Sequence, residues 1–335
     1  MRYPHTFYVV GLGSMGKRRI RNLNALGIPA SRIHGYDPEP LRRKEAERKY
    51  RISTASDFKK GFQKFKPSAL IISTPPDKHA TYFLFAARRK VHFFVEVTTV
   101  DDGYRALMPL LGSFVAAPSA TFRYVAAVKK IREIFQSGDI GKPFFFQHYL
   151  GQYLPDWHPY ENYSNVYFAK RKTGGAREMF PHELQWLSYI FNSSVEKATG
   201  IVAKISELKM SADDVYSVVV QYRNKIVGSI NIDLLNRKAT RNLRVVGSKG
   251  VLEWDWLKNA IVITKQGTTN RITLPREKKF GHYNSRESIY IAEMRDFLYA
   301  IEGKKPYPHT FREDRDNLDV LYSVERQSRS LKKIQ

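Results

Sequence analysis

The sequence predicts two domains: an α/β domain whose parallel sheet is covered by helices on both faces, then an α+β domain on an open, mainly antiparallel sheet. Three observations carry this. Short apolar runs alternate with charged helical stretches through the first 120 or so residues, the pattern of successive βα units. The first of those runs leads directly into Gly11-Leu12-Gly13-Ser14-Met15-Gly16. From Val195 to Leu274 the signals are strands in succession, separated by turn residues.

Taken in order, Phe7-Tyr8-Val9-Val10 is a buried-type strand, and Lys17 to Leu26 reads as a helix. Strand, G-x-G-x-x-G and helix form the dinucleotide-binding fingerprint. Gly11 permits the tight turn, Gly13 admits the pyrophosphate, and Gly16 lets the helix approach the strand. Ser14 and Met15 of the loop are expected to bind the cofactor beside the helix's amino end, which favours the anion. A second strand, Arg32–Tyr36, delivers Asp37 twenty-one positions after Gly16, where an acid takes the ribose hydroxyls. Arg42 and Arg43 follow on the helix Pro38–Tyr50; with an acid at the strand tip, NAD is expected over NADP. Ser53-Thr54-Ala55 with Asp57 is read as the start of a helical segment. Ser68–Ser73 is a buried strand ending in Thr74-Pro75-Pro76, and Asp77 is expected to cap the helix Lys78–Arg89. The strand Val91–Val95 delivers Glu96, a helix spans Asp101–Leu111, and Ser113–Ala117 is the last strand of the domain. Ligands in such sheets bind beyond the carboxyl ends of the strands, so Gly13, Asp37, Thr74, Pro75, His79 and Glu96 are expected around one crevice.

The pattern changes at Arg123, setting domains at 1–122 and 123–308, with residues 309–335 as a helix packing back on the first. The helix Val125–Ser137 precedes Gly138-Asp139-Ile140-Gly141 and the strand Lys142–Leu150; an aromatic loop, Gly151–Glu161, leads toward the helix Ala176–Phe191. Arg223-Asn224-Lys225 reads as a hairpin turn, and Glu287–Ile301 and Phe311–Lys333 close the chain as helices.

Composition narrows the classes. The 335 residues contain no cysteine, which removes disulfides, thiolate metal sites and a thiol nucleophile; no His/Asp/Glu spacing suggests a metal. No apolar run reaches the ~20 residues of a membrane span, and a strand beginning at Phe7 leaves no room for a signal peptide; a cytoplasmic protein is expected. The net charge of +24 suits anionic ligands. Yet Lys and Arg are spread along the chain without a basic tail or nucleic-acid motif, which argues against nucleic acid.

These residues together resemble the glucose–fructose oxidoreductase/inositol dehydrogenase (Gfo/Idh/MocA) family. The resemblance covers nearly the whole chain: the glycine loop, Ser73-Thr74-Pro75-Pro76 with His79, Glu96, Gly138-Asp139-Ile140-Gly141, Gly174-Gly175 followed by His182, and Gly247-Ser248-Lys249-Gly250-Val251-Leu252-Glu253. It implies a nicotinamide-binding Rossmann domain joined to an α+β domain whose open sheet makes homodimers or homotetramers. The stretches Gly151–Glu161 and Thr173–Leu184 resemble members of surface-polysaccharide and nonulosonic-sugar pathways. Two departures stand out. Where the family has Glu-Lys-Pro, this chain has Glu96-Val97-Thr98, without the lysine thought to hold the substrate hydroxyl; and the family's Asp four residues before its His is Glu178.

Removing hydride from a sugar carbinol needs a base on the hydroxyl. His182 is the candidate, with Glu178 one turn earlier on the same face as its orienting carboxylate. Arg177, Lys170 and Lys172 are candidates to hold a substrate carboxylate or phosphate; Tyr153 and Trp157 to stack on a sugar ring; His158 is a further loop candidate. The expected activity is NAD(P)-dependent oxidoreduction of a sugar or nucleotide sugar. The alternatives are an NAD-dependent glycosidase and, given Val97, a nucleotide-binding sensor or scaffold.

Overall fold

Strand β1 (Phe7–Val10) is buried at every position, because a central parallel strand is covered by helices on both faces. The structure is a computed structural model and describes residues 4–157, 162–275 and 287–331. The chain divides into two units, Met1–Thr121 with Glu277–Arg312, and Phe122–Arg276 with Glu313–Gln335.

In the first unit, β1 is followed by α1 (Ser14–Ala25), β2 (Ile33–Tyr36), α2 (Pro40–Tyr50), β3 (Ser53–Ala55), α3 (Phe58–Phe65), β4 (Ala69–Ile72), α4 (His79–Arg88), β5 (His92–Val95), α5 (Tyr104–Leu107) and β6 (Ala116–Pro118). The strands are parallel in the order β3-β2-β1-β4-β5-β6. The order reverses between β1 and β4, the switch point at which such sheets open a ligand crevice. Two local expectations are corrected. Ser53-Thr54-Ala55 is an edge strand paired with β2, and the helix starts only after Asp57, whose Oδ1 accepts the Lys60 N–H at 2.7 Å. Asp77 caps nothing: it lies in a short 3₁₀ turn, Pro76–Lys78, and α4 begins without a side-chain cap.

The second unit runs α6 (Ala126–Gln136), β7 (Pro143–Tyr153), α7 (Ala176–Phe191), β8 (Val195–Ala203), β9 (Val215–Tyr222), β10 (Val227–Asp233), β11 (Leu235–Gly247), β12 (Val251–Asp255), β13 (Ala260–Lys265) and β14 (Thr268–Thr273). Its sheet order is β14-β13-β12-β11-β7-β10-β9-β8, antiparallel throughout except for β7 beside β10. Alternate residues of β9 and β10 are buried, so one face is covered, while Phe145, Ile201 and Val219 are exposed.

The last two helices separate. In α8 (Glu287–Ile301), Met294, Phe297, Leu298 and Ile301 join the core of the first sheet. Helix α9 (Phe311–Ser330) is anchored in the second unit: Gln185 Nε2 donates to Asp314 Oδ1 at 2.9 Å, Arg177 Nε to Glu325 Oε1 at 2.6 Å, and the Val202 N–H to Ser328 Oγ at 2.8 Å. Helix α8 thus belongs to the first unit, and so does the start of α9, where Phe311 packs on Phe83, Phe93 and Tyr104, while α9 from Glu313 onward belongs to the second. An apolar stripe says that a helix is packed, not on what.

Candidate active site

The first unit builds a nucleotide cradle from two turns at the switch point. Gly11 has φ +90°, and a Cβ there would stand 2.7 Å from the Ser73 carbonyl oxygen; only glycine permits the β1 turn to lie against the β4 turn. A Cβ on Gly16 would meet the Gly11 oxygen at 1.8 Å, whereas one on Gly13 meets nothing within 4 Å. Gly11 and Gly16 thus answer to the protein itself, and Gly13 leaves open space at the helix start. No side chain caps α1, and its first turn carries no acid, so the amino end keeps its preference for an anion. Ser73 Oγ and Thr74 Oγ1 are buried without hydrogen-bond partners among the described residues. Open space at Gly13, an uncapped helix end and two orphaned hydroxyls fit a bound dinucleotide.

Asp37 lies at the carboxyl end of β2, beside the glycine loop. It is buried, its Oδ2 accepts the Leu12 N–H at 2.8 Å and its Oδ1 accepts the Glu39 N–H at 2.9 Å. The acid expected on the ribose therefore also pins the glycine loop. Arg42 stands 3.7 Å from Oδ2, and Arg43 Nη1 donates to the Asp37 and Pro38 carbonyls.

Two residues expected at the cofactor turn inward. Glu96 gives both carboxylate oxygens to Arg19, at 2.6 and 3.0 Å. Arg19 is fully buried, contacts Glu293 at 2.9 Å, and lies over the Phe94 ring. Burial opposes its charge, but the two carboxylates outweigh burial and raise its pKa. Glu293 is in turn held by Ser119, the Ala120 N–H and Thr121. Glu96 is thus an anchor of the unit's frame. His79 is also buried, its Nε2 2.8 Å from the Thr74 carbonyl, so it braces the Thr74-Pro75-Pro76 turn. Pro75 is exposed on that turn.

The second unit's candidates gather at the start of α7. Gly174 allows the preceding turn to press on Phe168, since a Cβ would lie 2.1 Å from the Phe168 Cα; Gly175 begins the helix at φ +72°. Glu178 sits in the first turn, and its Oε1 accepts the Tyr167 hydroxyl at 2.8 Å. Its Oε2 is shielded from solvent and has no partner among the described residues. Burial pushes the carboxyl up to about 7, outweighing the lowering effect of Tyr167. The carboxylate expected to orient His182 is thus held by Tyr167 instead; His182, one turn on, is half-buried. Trp157 packs on Phe168, ring centroids 5.7 Å apart, with its indole N–H buried and unpartnered among the described residues.

Other expectations are redistributed. Arg177 is buried against Glu325 and donates from Nη1 to the Lys172 carbonyl at 2.8 Å. The same Glu325 oxygen accepts the Tyr216 hydroxyl at 2.8 Å. Lys170 and Lys172 are exposed on the loop before α7. Tyr153 has its ring covered by Arg237, whose Cζ is 3.7 Å from the centroid. His158 lies outside the described residues.

Sequence reasoning missed Tyr167, which carries no motif, and a buried cluster around Glu183. There His148 Nε2, Trp186 Nε1 and Arg241 Nη2 contact the Glu183 carboxylate at 2.8, 2.8 and 2.9 Å. Burial would raise this carboxyl, but Arg241 and the other donors hold it at about 2. The cluster fastens α7 to β7 and β11. Among the described residues no group of acids and histidines is placed to hold a metal, and no helix is long and apolar enough to cross a membrane.

Comparison with known proteins agrees with this geometry. A profile of the oxidoreductase family with an NAD-binding Rossmann fold matches residues 6–105, and the GFO/IDH/MocA C-terminal domain matches residues 128–253. Comparison with the curated proteins gives no match. Among solved structures, UDP-N-acetylglucosamine 3-dehydrogenase from Acidithiobacillus ferrooxidans superposes with a TM-score of 0.78 at 17% identity, over 96% of this chain and 97% of that one. A levoglucosan dehydrogenase, solved with NADH and levoglucosan, gives 0.82 at 15% identity over 97% of each chain. Myo-inositol 2-dehydrogenase from Lactobacillus plantarum gives 0.79 at 16% over 98% of each. At these identities the structural likeness speaks for the fold, and the two profiles speak for descent: the chain belongs to the GFO/IDH/MocA family of oxidoreductases, whose first domain is an NAD-binding Rossmann fold.

Proposed function

We propose that the chain is an NAD-dependent oxidoreductase acting on a carbinol of a sugar or nucleotide-linked sugar, in polysaccharide or nucleotide-sugar biosynthesis. The observation that carries this reading is Glu178, a carboxyl pushed up to about 7 with one oxygen fixed by Tyr167 and the other unpartnered. A general base works best when its pKa lies near the operating pH. Nicotinamide, when bound, accepts the hydride. The glycine loop, Asp37 and the Ser73-Thr74 hydroxyls hold the dinucleotide. Glu178 Oε2 takes the proton of the substrate hydroxyl while Tyr167 keeps the carboxylate from rotating, and half-buried His182 passes that proton to water. Val97 can neither donate nor titrate, so the proton needs an acceptor other than the family lysine. Trp157 offers its indole N–H to a sugar hydroxyl, and Lys170 and Lys172 take an anionic group. Three structures of this fold are named as dehydrogenases of UDP-N-acetylglucosamine, levoglucosan and myo-inositol, which supports a polyhydroxylated ring as substrate. The exposed Phe145, Ile201 and Val219 support a homodimer or homotetramer formed through the second sheet.

The test is to incubate the full chain with NAD and a panel of free and UDP-linked sugars, following NADH absorbance. Steady NADH formation with at least one sugar is expected. Tight NAD binding without turnover on any of them would overturn the assignment in favour of a nucleotide sensor; glycosidic cleavage without NADH release would favour transient oxidation.

A further inference from the structure

The cations that run evenly along the sequence do not stay evenly spread in the fold. Residues 58–66 contain four lysines and no acid, and residues 79–90 end in Arg88-Arg89-Lys90, also without an acid. Helices α3 and α4 bring these stretches together, and all seven cations are exposed. Asp57, the acid just before α3, is occupied as its cap.

Between the helices lies a recess of about 470 Å³, lined by Lys59, Phe62, Gln63, Lys66, Pro67, Phe85 and Arg89, with no carboxylate. Its floor is aromatic. Phe62 and Phe85 meet edge to face at 5.0 Å, and the Arg89 guanidinium lies over Phe85, 3.7 Å from the ring centroid. Lys66 precedes β4 and Arg89 precedes β5, so the recess is at the amino ends of the parallel strands. The glycine loop follows the carboxyl end of β1. The recess and the nucleotide cradle are therefore at opposite ends of this sheet.

We propose that this recess docks single-stranded nucleic acid: one base lies against Phe62 and the Phe85–Arg89 stack, and neighbouring phosphates are taken by the flanking cations. Aromatic platforms set in a basic groove bind single strands with little sequence preference, because every base has a π-face. The cations continue beyond the recess on both helices, more positive charge than one phosphate uses, which favours a strand over a free nucleotide. An anionic membrane fits less well, since none of the exposed large apolar side chains lies on α3 or α4, leaving nothing to insert.

The experiment is fluorescence anisotropy of a labelled oligothymidylate of about ten nucleotides, within the site sizes usual for such grooves, with the full chain saturated with NAD. Binding is expected to weaken with salt. Lys66→Asn with Arg89→Gln should weaken it tenfold or more and lower the salt slope by about 1.4, as two lost phosphate contacts require; Asn suits the left-handed backbone at Lys66, φ +47°. Phe62→Leu should cost about fivefold or more through lost stacking. NAD affinity should be unchanged in both variants, showing that they fold. The proposal is overturned if the chain does not bind the oligomer, if both variants bind like the parent, if thymidine monophosphate competes as well per mole as the oligomer, or if only phosphatidylserine vesicles are captured.

Discussion

Arg177 and Glu178 are neighbours on one helix turn with opposite fates. Arg177 is the charge spent on architecture, and removing it strands Glu325 and loosens Tyr216. Arg177→Ala should lower stability by about 3–5 kcal/mol, the usual cost of breaking a buried pair, read as a fall in melting temperature in the apo protein. Glu178 is the charge left available. Its ordinary value is 4.5 and its folded value about 7, so between those values the folded state binds more protons than the unfolded one. Stability should therefore fall as pH rises from about 4.5 to about 7. Oxidation needs the ionised form, so kcat should rise through about pH 7 and level off above it. Glu178→Gln should remove both pH dependences and lower turnover by about 10²–10⁴-fold, with NAD affinity unchanged. A profile with the same inflection in the variant would assign it elsewhere, with His182 the next group to test. Neither fate was legible in the sequence. Residue type and i,i+4 spacing offered His182 as the partner of Glu178, while Tyr167, eleven positions away, and Glu325, at the far end of the chain, have no local signal.

At the scale of elements, what the sequence shows well is whatever depends on neighbours along the chain. The βα alternation and the turn Arg223–Lys225 emerge in place, Lys225 taking φ +70°. The glycine loop was legible because each glycine answers to a nearby backbone. It yields a paired prediction: Gly16→Ala should unfold or badly destabilise the first unit, since its Cβ falls on the Gly11 carbonyl. Gly13→Ala should fold normally, because nothing of the protein opposes its Cβ, and should lose NAD affinity, measured by calorimetry. Equal effects on folding would contradict the division of labour drawn here. What stayed hidden depends on three-dimensional pairing. Ser53–Ala55 is too short to show strand periodicity and becomes a strand only by pairing with β2. Glu96 follows the end of β5 and His79 opens α4, both near where ligands bind in such sheets, yet Arg19 and the Thr74 carbonyl claim them.

At the scale of the whole molecule, two profiles of one family match stretches of both domains, and the sequence foretold the architecture. The uncovered face of the second sheet predicts self-association. Val219→Lys should shift the mass measured by light scattering toward the monomer without lowering NAD affinity, whereas a parent protein already monomeric would remove that role for the face. The central claim is that hydride leaves a sugar carbon for nicotinamide on this chain despite Val97. The most direct measurement uses a UDP-sugar deuterated on its ring carbons, full-length protein and NAD, with the nicotinamide analysed by mass spectrometry. The account predicts reduced nicotinamide carrying one deuterium, accumulating with turnover and nearly abolished in Glu178→Gln. NAD bound at saturation but recovered oxidised and unlabelled, across every sugar offered, would contradict it.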